Sequence, residues 1–192
     1  MSANVRFSAE EMRLVTDPAW ILTKNSIIRK VVELFGELSG EWREILSGES
    51  STGGAWGDPR ISKGEQYKGL PWVMLDYPRV FGKEDIFAIR TMFWWGHYFS
   101  VTLHLKGDYL RTYLPVILSN RGVLEAAGFW PGVSDDEWEH DHRPGSGGPG
   151  EWKIGDRPFL KVSARCEMDQ PACLTEKFAI LARVLITTQP VK

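Results

Sequence analysis

The chain has 192 residues, 43% of them hydrophobic and 25% charged, which is the ordinary balance of a globular protein with one core. A net charge of −2 argues against nucleic-acid binding by phosphate neutralisation and against adhesion to an anionic membrane. The aromatic load is unusual, with nine Trp, nine Phe and five Tyr, more than a core alone requires.

The N-terminus has no apolar stretch of the kind a secretory signal needs. Ser8-Ala-Glu-Glu11 fits a capping box, so a short helix is expected to about Val15. Asp17-Pro18 is a second helix start. Beyond it Ile27, Ile28, Val31, Leu34, Phe35, Leu38, Trp42, Ile45 and Leu46 recur at helical spacing, predicting a long amphipathic helix over 25–47. A loop follows at 47–58, then strands at 59–63 and 72–77, the second ended by Pro78. Residues 86–95 and 98–105 read as a hairpin around Gly96. This stretch is apolar enough to resemble a membrane span, but it contains Arg90, His97 and His104, so a hairpin is the better reading. Residues 109–120 read as a helix interrupted at Pro115, and 129–157 as an irregular Gly/Pro-rich loop. A strand at 159–167 and a helix at 175–187 complete the chain.

Successive strands with short turns, flanked by helices, define an α+β fold in one domain over 1–192. Its expected core is an antiparallel sheet of about four to five strands, with a long N-terminal helix and a C-terminal helix packed on it. Cys166 and Cys173 match no common zinc or redox spacing. Two plain thiols are the simpler expectation and a single disulfide the alternative, so the protein is expected to be soluble and cytoplasmic.

Side chains alternate across a strand, so the hairpin can be split by face. A two-residue Gly96-His97 turn would set Trp95 opposite Tyr98 and Trp94 opposite Phe99. One face then carries Ala88, Arg90, Met92, Trp94, Phe99, Val101, Leu103 and Leu105, and is core apart from Arg90. The other carries Phe87, Ile89, Thr91, Phe93, Trp95, Tyr98, Ser100, Thr102 and His104, mixing aromatics with hydroxyls and an imidazole. Phe93, Trp95, Tyr98, Ser100, Thr102 and His104 suit a small-ligand pocket, which is mostly apolar with a few placed polar groups. Tyr67, Trp72 and Arg79 would rim it. The plainer alternative is a half-solvated outer face, or a second buried face under a covering element. Arg90 and Asp76 both fall among apolar strand neighbours, and a buried ion pair between them is preferred over anion recognition by Arg90.

The densest chemical cluster is Glu137-Trp-Glu-His-Asp-His-Arg143. His140, Asp141 and His142 are candidate ligands for a divalent metal, although their spacing fits no specific site and a solvated acidic loop is the simpler reading. There is no Gly-x-Ser-x-Gly elbow and no Walker or Gly-x-Gly-x-x-Gly loop, so no nucleotide cofactor is expected.

The stretch Tyr67-Lys-Gly-Leu-Pro-Trp-Val-Met-Leu-Asp-Tyr-Pro-Arg79, followed by Ile89-Arg-Thr-Met-Phe-Trp-Trp-Gly96, resembles a group of uncharacterised bacterial proteins. The resemblance is local, over 67–96, and implies neither an activity nor a site. The sequence thus points to a non-catalytic domain that binds a small ligand or a protein through the aromatic and polar hairpin face. A homodimer is the natural protein partner. The alternative is a metal-dependent hydrolase built on the His140–His142 loop.

Overall fold

The computed structural model describes residues 5–49, 56–141, 152 and 157–186. Two helices lead. In α1 (Ala9–Thr16) the Ser8 hydroxyl accepts from the Glu11 amide and the Glu11 carboxylate from the Ser8 amide, the reciprocal cap expected from the sequence. The Asp17 carboxylate caps the next start by accepting from the Ala19 amide, and α2 (Pro18–Glu49) runs unbroken for 32 residues. Gly36 and Gly40 have open space where a side chain would sit, and neither ends the helix.

The strands are β1 (Arg60–Tyr67), β2 (Leu70–Phe81), β3 (Ile86–Trp94), β4 (Phe99–Lys106), β5 (Trp130–Pro131) and β6 (Phe159–Cys166). They form one antiparallel sheet in the order β1-β2-β3-β4-β6-β5. Between β4 and β5 lie α3 (Gly107–Ser119), which carries Pro115 internally, and α4 (Arg121–Ala126). The final helix is α5 (Ala172–Ile186). The α+β class expected from the sequence is therefore the fold, with one more strand than anticipated. Strand β2 does not stop at Pro78 but passes through it, and its pairing with β3 shifts between Asp76 and Arg79. A bulge is where a sheet tolerates a residue with no amide hydrogen.

The helices cover one sheet face. The α2 stripe of Ile28, Val31, Phe35, Leu38, Trp42 and Leu46 is buried with Phe178 and Leu181 of α5 and with Val73, Leu75, Ile89, Val101, Leu103 and Val162 of the sheet. Trp42 and Phe178 stack with ring centroids 4.0 Å apart and planes 5° from parallel, joining the first long helix to the last. At the end of β6, Cys166 is disulfide-bonded to Cys173 in the first turn of α5, with a Cα–Cα distance of 5.9 Å. That corrects the expectation of two plain thiols. The turn between strand and helix, in which the Gln170 amide donates to the Glu167 carbonyl and the Cys173 amide to the Gln170 carbonyl, folds the two cysteines to bridging distance, which sequence spacing does not reveal. Among the described residues, no helix is long and apolar enough to cross a membrane.

Trp42 is fully buried and stacked, so Trp42→Ala leaves a large cavity between α2 and α5. It is expected to lower unfolding free energy by about 3–5 kcal/mol, read as a lower urea midpoint with an unchanged slope.

Candidate functional site

The β3–β4 turn decides which side chains share a face. The Trp94 amide donates to the Tyr98 carbonyl at 3.1 Å and the His97 amide to the Trp94 carbonyl at 3.0 Å. The loop is therefore Trp95-Gly96-His97, one residue longer than expected, with Gly96 at φ +73°, where only glycine sits without strain. Phe93 consequently pairs with Phe99, Met92 with Ser100, Arg90 with Thr102 and Ala88 with His104. A shift of one residue exchanges the two faces of a strand. The expected faces are right for β4 and inverted for β3. Phe93 is a core residue packed on Phe99 and Trp95 under the helices, and Trp95 packs against the same core. Ala88, Arg90, Met92 and Trp94 instead join Tyr98, Ser100, Thr102 and His104 on the opposite face.

Strands β2 and β6 extend that opposite face. Asp76 pairs with Arg90, Arg90 with Thr102 and Thr102 with Ser163, giving a polar row across four strands. His104 pairs with Lys161, and Ser100 with Arg165. Asp76 and Arg90 form the anticipated ion pair, at 2.7 Å between Oδ1 and Nε, with side chains only 9% and 11% exposed. The Thr102 and Ser163 hydroxyls share a hydrogen bond of 2.9 Å. A row this polar and this buried needs a cover.

The cover is the segment 133–141, within the irregular loop expected at 129–157, whose start is instead taken up by strand β5. It crosses the polar face as a strap. Arg157 Nη1 donates to the carbonyls of Gly132 at 2.7 Å and Ser134 at 2.9 Å, fixing the strap's start. Lys106 pairs with Glu137 at 3.0 Å. Lys161 Nζ donates to the Glu137 carbonyl at 3.1 Å and also to the Glu139 carbonyl. The Tyr67 hydroxyl donates to the Glu139 carboxylate and accepts from the His140 amide at 2.7 Å. Asp141 is held by Lys68 at 3.1 Å and by the Tyr98 hydroxyl at 3.3 Å. Trp138 lies over the polar row, its ring 5.7 Å from that of His104 and 5.4 Å from the Arg90 guanidinium carbon.

Two cavities of about 440 Å³ each flank the strap. The first lies on the β5–β6 side, between Trp130, Phe159, Lys161 and Arg165 of the sheet and Asp136, Glu139 and Asp141 of the strap. The second lies over β1–β3, lined by Tyr67, Trp72, Met74, Met92 and Arg90, with Trp138 and His140 from the strap. Of the residues anticipated from sequence, Tyr67 and Trp72 meet at the second cavity. Ser100 and Thr102 are buried in the face between the two, and His104 lies beneath Trp138. Arg79 pairs with Ala88 at the far end of β2 and lines neither cavity. His140 and Asp141 turn to different cavities, and His142 lies outside the described residues. Among the described residues, no three His, Cys, Asp or Glu side chains converge as a metal site would require.

Sequence reasoning missed Lys161 and Arg165. The signal was present in Phe159-Leu-Lys-Val-Ser-Ala-Arg-Cys166, where Leu160, Val162, Ala164 and Cys166 alternate with Lys161, Ser163 and Arg165. The apolar set is buried under the helices and the polar set faces the strap.

The electrostatics follow from burial. Burial pushes Lys161 down to about 7 and the nearby Arg90 charge adds to that, against the pull of Glu139, Asp136 and Glu137. Burial raises the Tyr67 hydroxyl well above its ordinary value, reinforced by its bond to Glu139. Burial would raise Glu139 as well, but the Tyr67 hydroxyl, the Asp141 amide and Lys68 together hold it down to about 2. No family model matches the chain, and no curated protein or solved structure does either.

The Glu139 carboxylate has an acidity raised by folding, so its contribution is complete above its ordinary value of 4.5 and is lost as pH falls toward 2. The strap is therefore expected to loosen across that acid window, before the helix-covered core unfolds. Amide exchange resolved by segment checks this; protection at 133–141 that persists to pH 2 would contradict it.

Proposed function

We propose that the protein is a small-ligand-binding domain whose ligand seats in the cavity between Trp72 and Trp138. What supports this reading is the make-up of that cavity. Indole, phenol and thioether groups form half of its lining, and the polar groups are the Arg90 guanidinium, the His140 imidazole, Gln66 and a Glu65 carboxylate already paired with Lys24. Its volume falls in the range of small-molecule sites. Arg90 is already neutralised by Asp76, so it is positioned to orient an acceptor rather than to supply a bare charge. A flat aromatic molecule bearing a carboxylate or carbonyl matches this arrangement. The alternative of a metal-dependent hydrolase has less behind it, because Asp141 is engaged by Lys68 and Tyr98 and faces away from His140.

Planar aromatic acids are expected to quench the indole fluorescence and raise the melting temperature. Trp72→Ala is expected to weaken binding about tenfold or more, equivalent to ~1.4 kcal/mol. A panel of such acids that leaves both the wild-type melt and its fluorescence unchanged would sink the reading.

A separate surface favours self-association. Val5, Phe7, Met12, Val15, Trp20, Ile21 and Leu22 are all exposed, and none of the α1 residues is buried. Trp20 and Ile21 also border a groove of about 270 Å³ shared with Trp95 and Pro71. A patch of this kind on an N-terminal arm fits an isologous contact with a second copy. Sedimentation velocity is expected to show a concentration-dependent dimer that Trp20→Glu dissociates; a wild-type monomer at high concentration would refute it. The compartment turns on the thiols: the Cys166–Cys173 bond fits an oxidising environment, and both thiols found reduced in cells would restore a cytoplasmic assignment.

A further inference from the structure

The cavity on the β5–β6 side has a different character from the one assigned to the aromatic ligand, and the inference drawn from it does not depend on that assignment. At its floor is Lys161, near the start of β6 and only 4% exposed. Its amine meets backbone carbonyls, those of Glu137 and Glu139, where a buried ammonium would ordinarily meet a carboxylate. A neutral amine has two N–H groups and one lone pair. The two strap carbonyls satisfy both N–H groups, which leaves the lone pair on the side away from them. Trp130 and Phe159 supply apolar walls, and Glu139 and Asp141 supply carboxylates at the same cavity.

We propose that Lys161 is the nucleophilic amine of a site that captures an aldehyde or ketone as an imine. The lone pair attacks the carbonyl carbon, forming the C–N bond, while the carbonyl π pair moves to oxygen. The oxygen takes a proton from water and the nitrogen gives one up to a cavity carboxylate or water, yielding the carbinolamine. A proton returned by that carboxyl or by water lets the hydroxyl leave as water while the nitrogen lone pair closes the C=N bond, and the iminium so formed gives its remaining N–H proton back to the same base, leaving the imine. Amine plus carbonyl equals imine plus one water, with no oxidant or reductant required.

The groups around the amine give the step its pH range. Burial and the Arg90 charge favour the neutral amine, and the carboxylates of Asp136, Glu137 and Glu139 oppose them. His104 is the cross-strand neighbour and Arg165 shares the cavity. With the amine at about 7, half of it is neutral at physiological pH, whereas an exposed lysine near 10.5 is almost wholly protonated.

The test is borohydride-type trapping on the full chain. The protein is incubated with propanal and cyanoborohydride from pH 6 to 9, and alkylation at each lysine is read by peptide mass spectrometry. Lys161 is expected to be modified about tenfold or more faster than the other lysines at pH 7, with a midpoint near 7. In urea the preference is expected to vanish. Lys161→Met is expected to lose the rapid phase while leaving slow surface labelling intact. Labelling confined to the N-terminus and exposed lysines, or Lys161 reacting only once the chain is unfolded, overturns the proposal. Because wild-type protein carries the primary readout, the outcome does not hinge on the variant folding. A panel of aromatic acids that fails to bind the other cavity leaves this result unaffected.

Discussion

A sheet face that buries Asp76, Thr102, His104, Lys161 and Ser163, with Arg90 partly buried among them, is unstable as a bare surface and nearly as unstable under an apolar cover. The strap at 133–141 resolves this by bringing backbone carbonyls and carboxylates rather than hydrocarbon. Lys161 and Lys106 reach up to it, Tyr67 and Tyr98 tie down its far end, and Trp138 lies over Arg90 and His104. Both cavities exist because this cover is narrow. A helix would have filled the face; a single segment that turns at Asp136–Glu139 leaves space on each side.

How far the sequence discloses this arrangement depends on the range of the interaction. The caps at Ser8 and Asp17 are local, so they are readable, and so is the α2 stripe with its helical period. The α+β class follows from element order alone. The hairpin is instructive because its existence was legible and its register was not. One additional loop residue at Trp95-Gly96-His97 moved Phe93 to the core and Arg90 to the strap face. Turn length is set by a hydrogen-bond choice that a dipeptide such as Gly96-His97 does not determine. The hydrophobic alternation offered little arbitration, because aromatic and aliphatic residues occupy both faces of β3.

The strap was illegible for a different reason. Residues 133–141 carry charge, proline-flanked turns and no period, and such a segment reads as solvated loop. Its placement depends on partners far away in the chain, Tyr67 and Lys68 on one side and Lys161 on the other. The disulfide was illegible for a local reason: Cys166 and Cys173 are seven residues apart and meet because a turn reverses the chain between β6 and α5. By contrast, the alternation in β6 is as clear as any in the chain. It points to Lys161, Ser163 and Arg165 as a single row once a cover for that face is considered.

The two flanks of the strap are not independent surfaces. Trp138 and His140 border one cavity while Glu139 and Asp141 border the other. The carbonyls that hold Lys161 Nζ belong to Glu137 and Glu139, the residues on either side of Trp138. A molecule pressing on the Trp138 indole therefore acts on the peptide groups that position the lysine amine. By reciprocity, an adduct at Lys161 that shifted the same peptide groups would be felt at the Trp138 indole. Among the described residues, the strap lines both cavities, whereas the sheet residues of one are not those of the other. What the polar face demands for its burial is a cover held by hydrogen bonds as well as by the packing of Trp138, and those same hydrogen bonds join the peptide groups of the strap to the lysine amine.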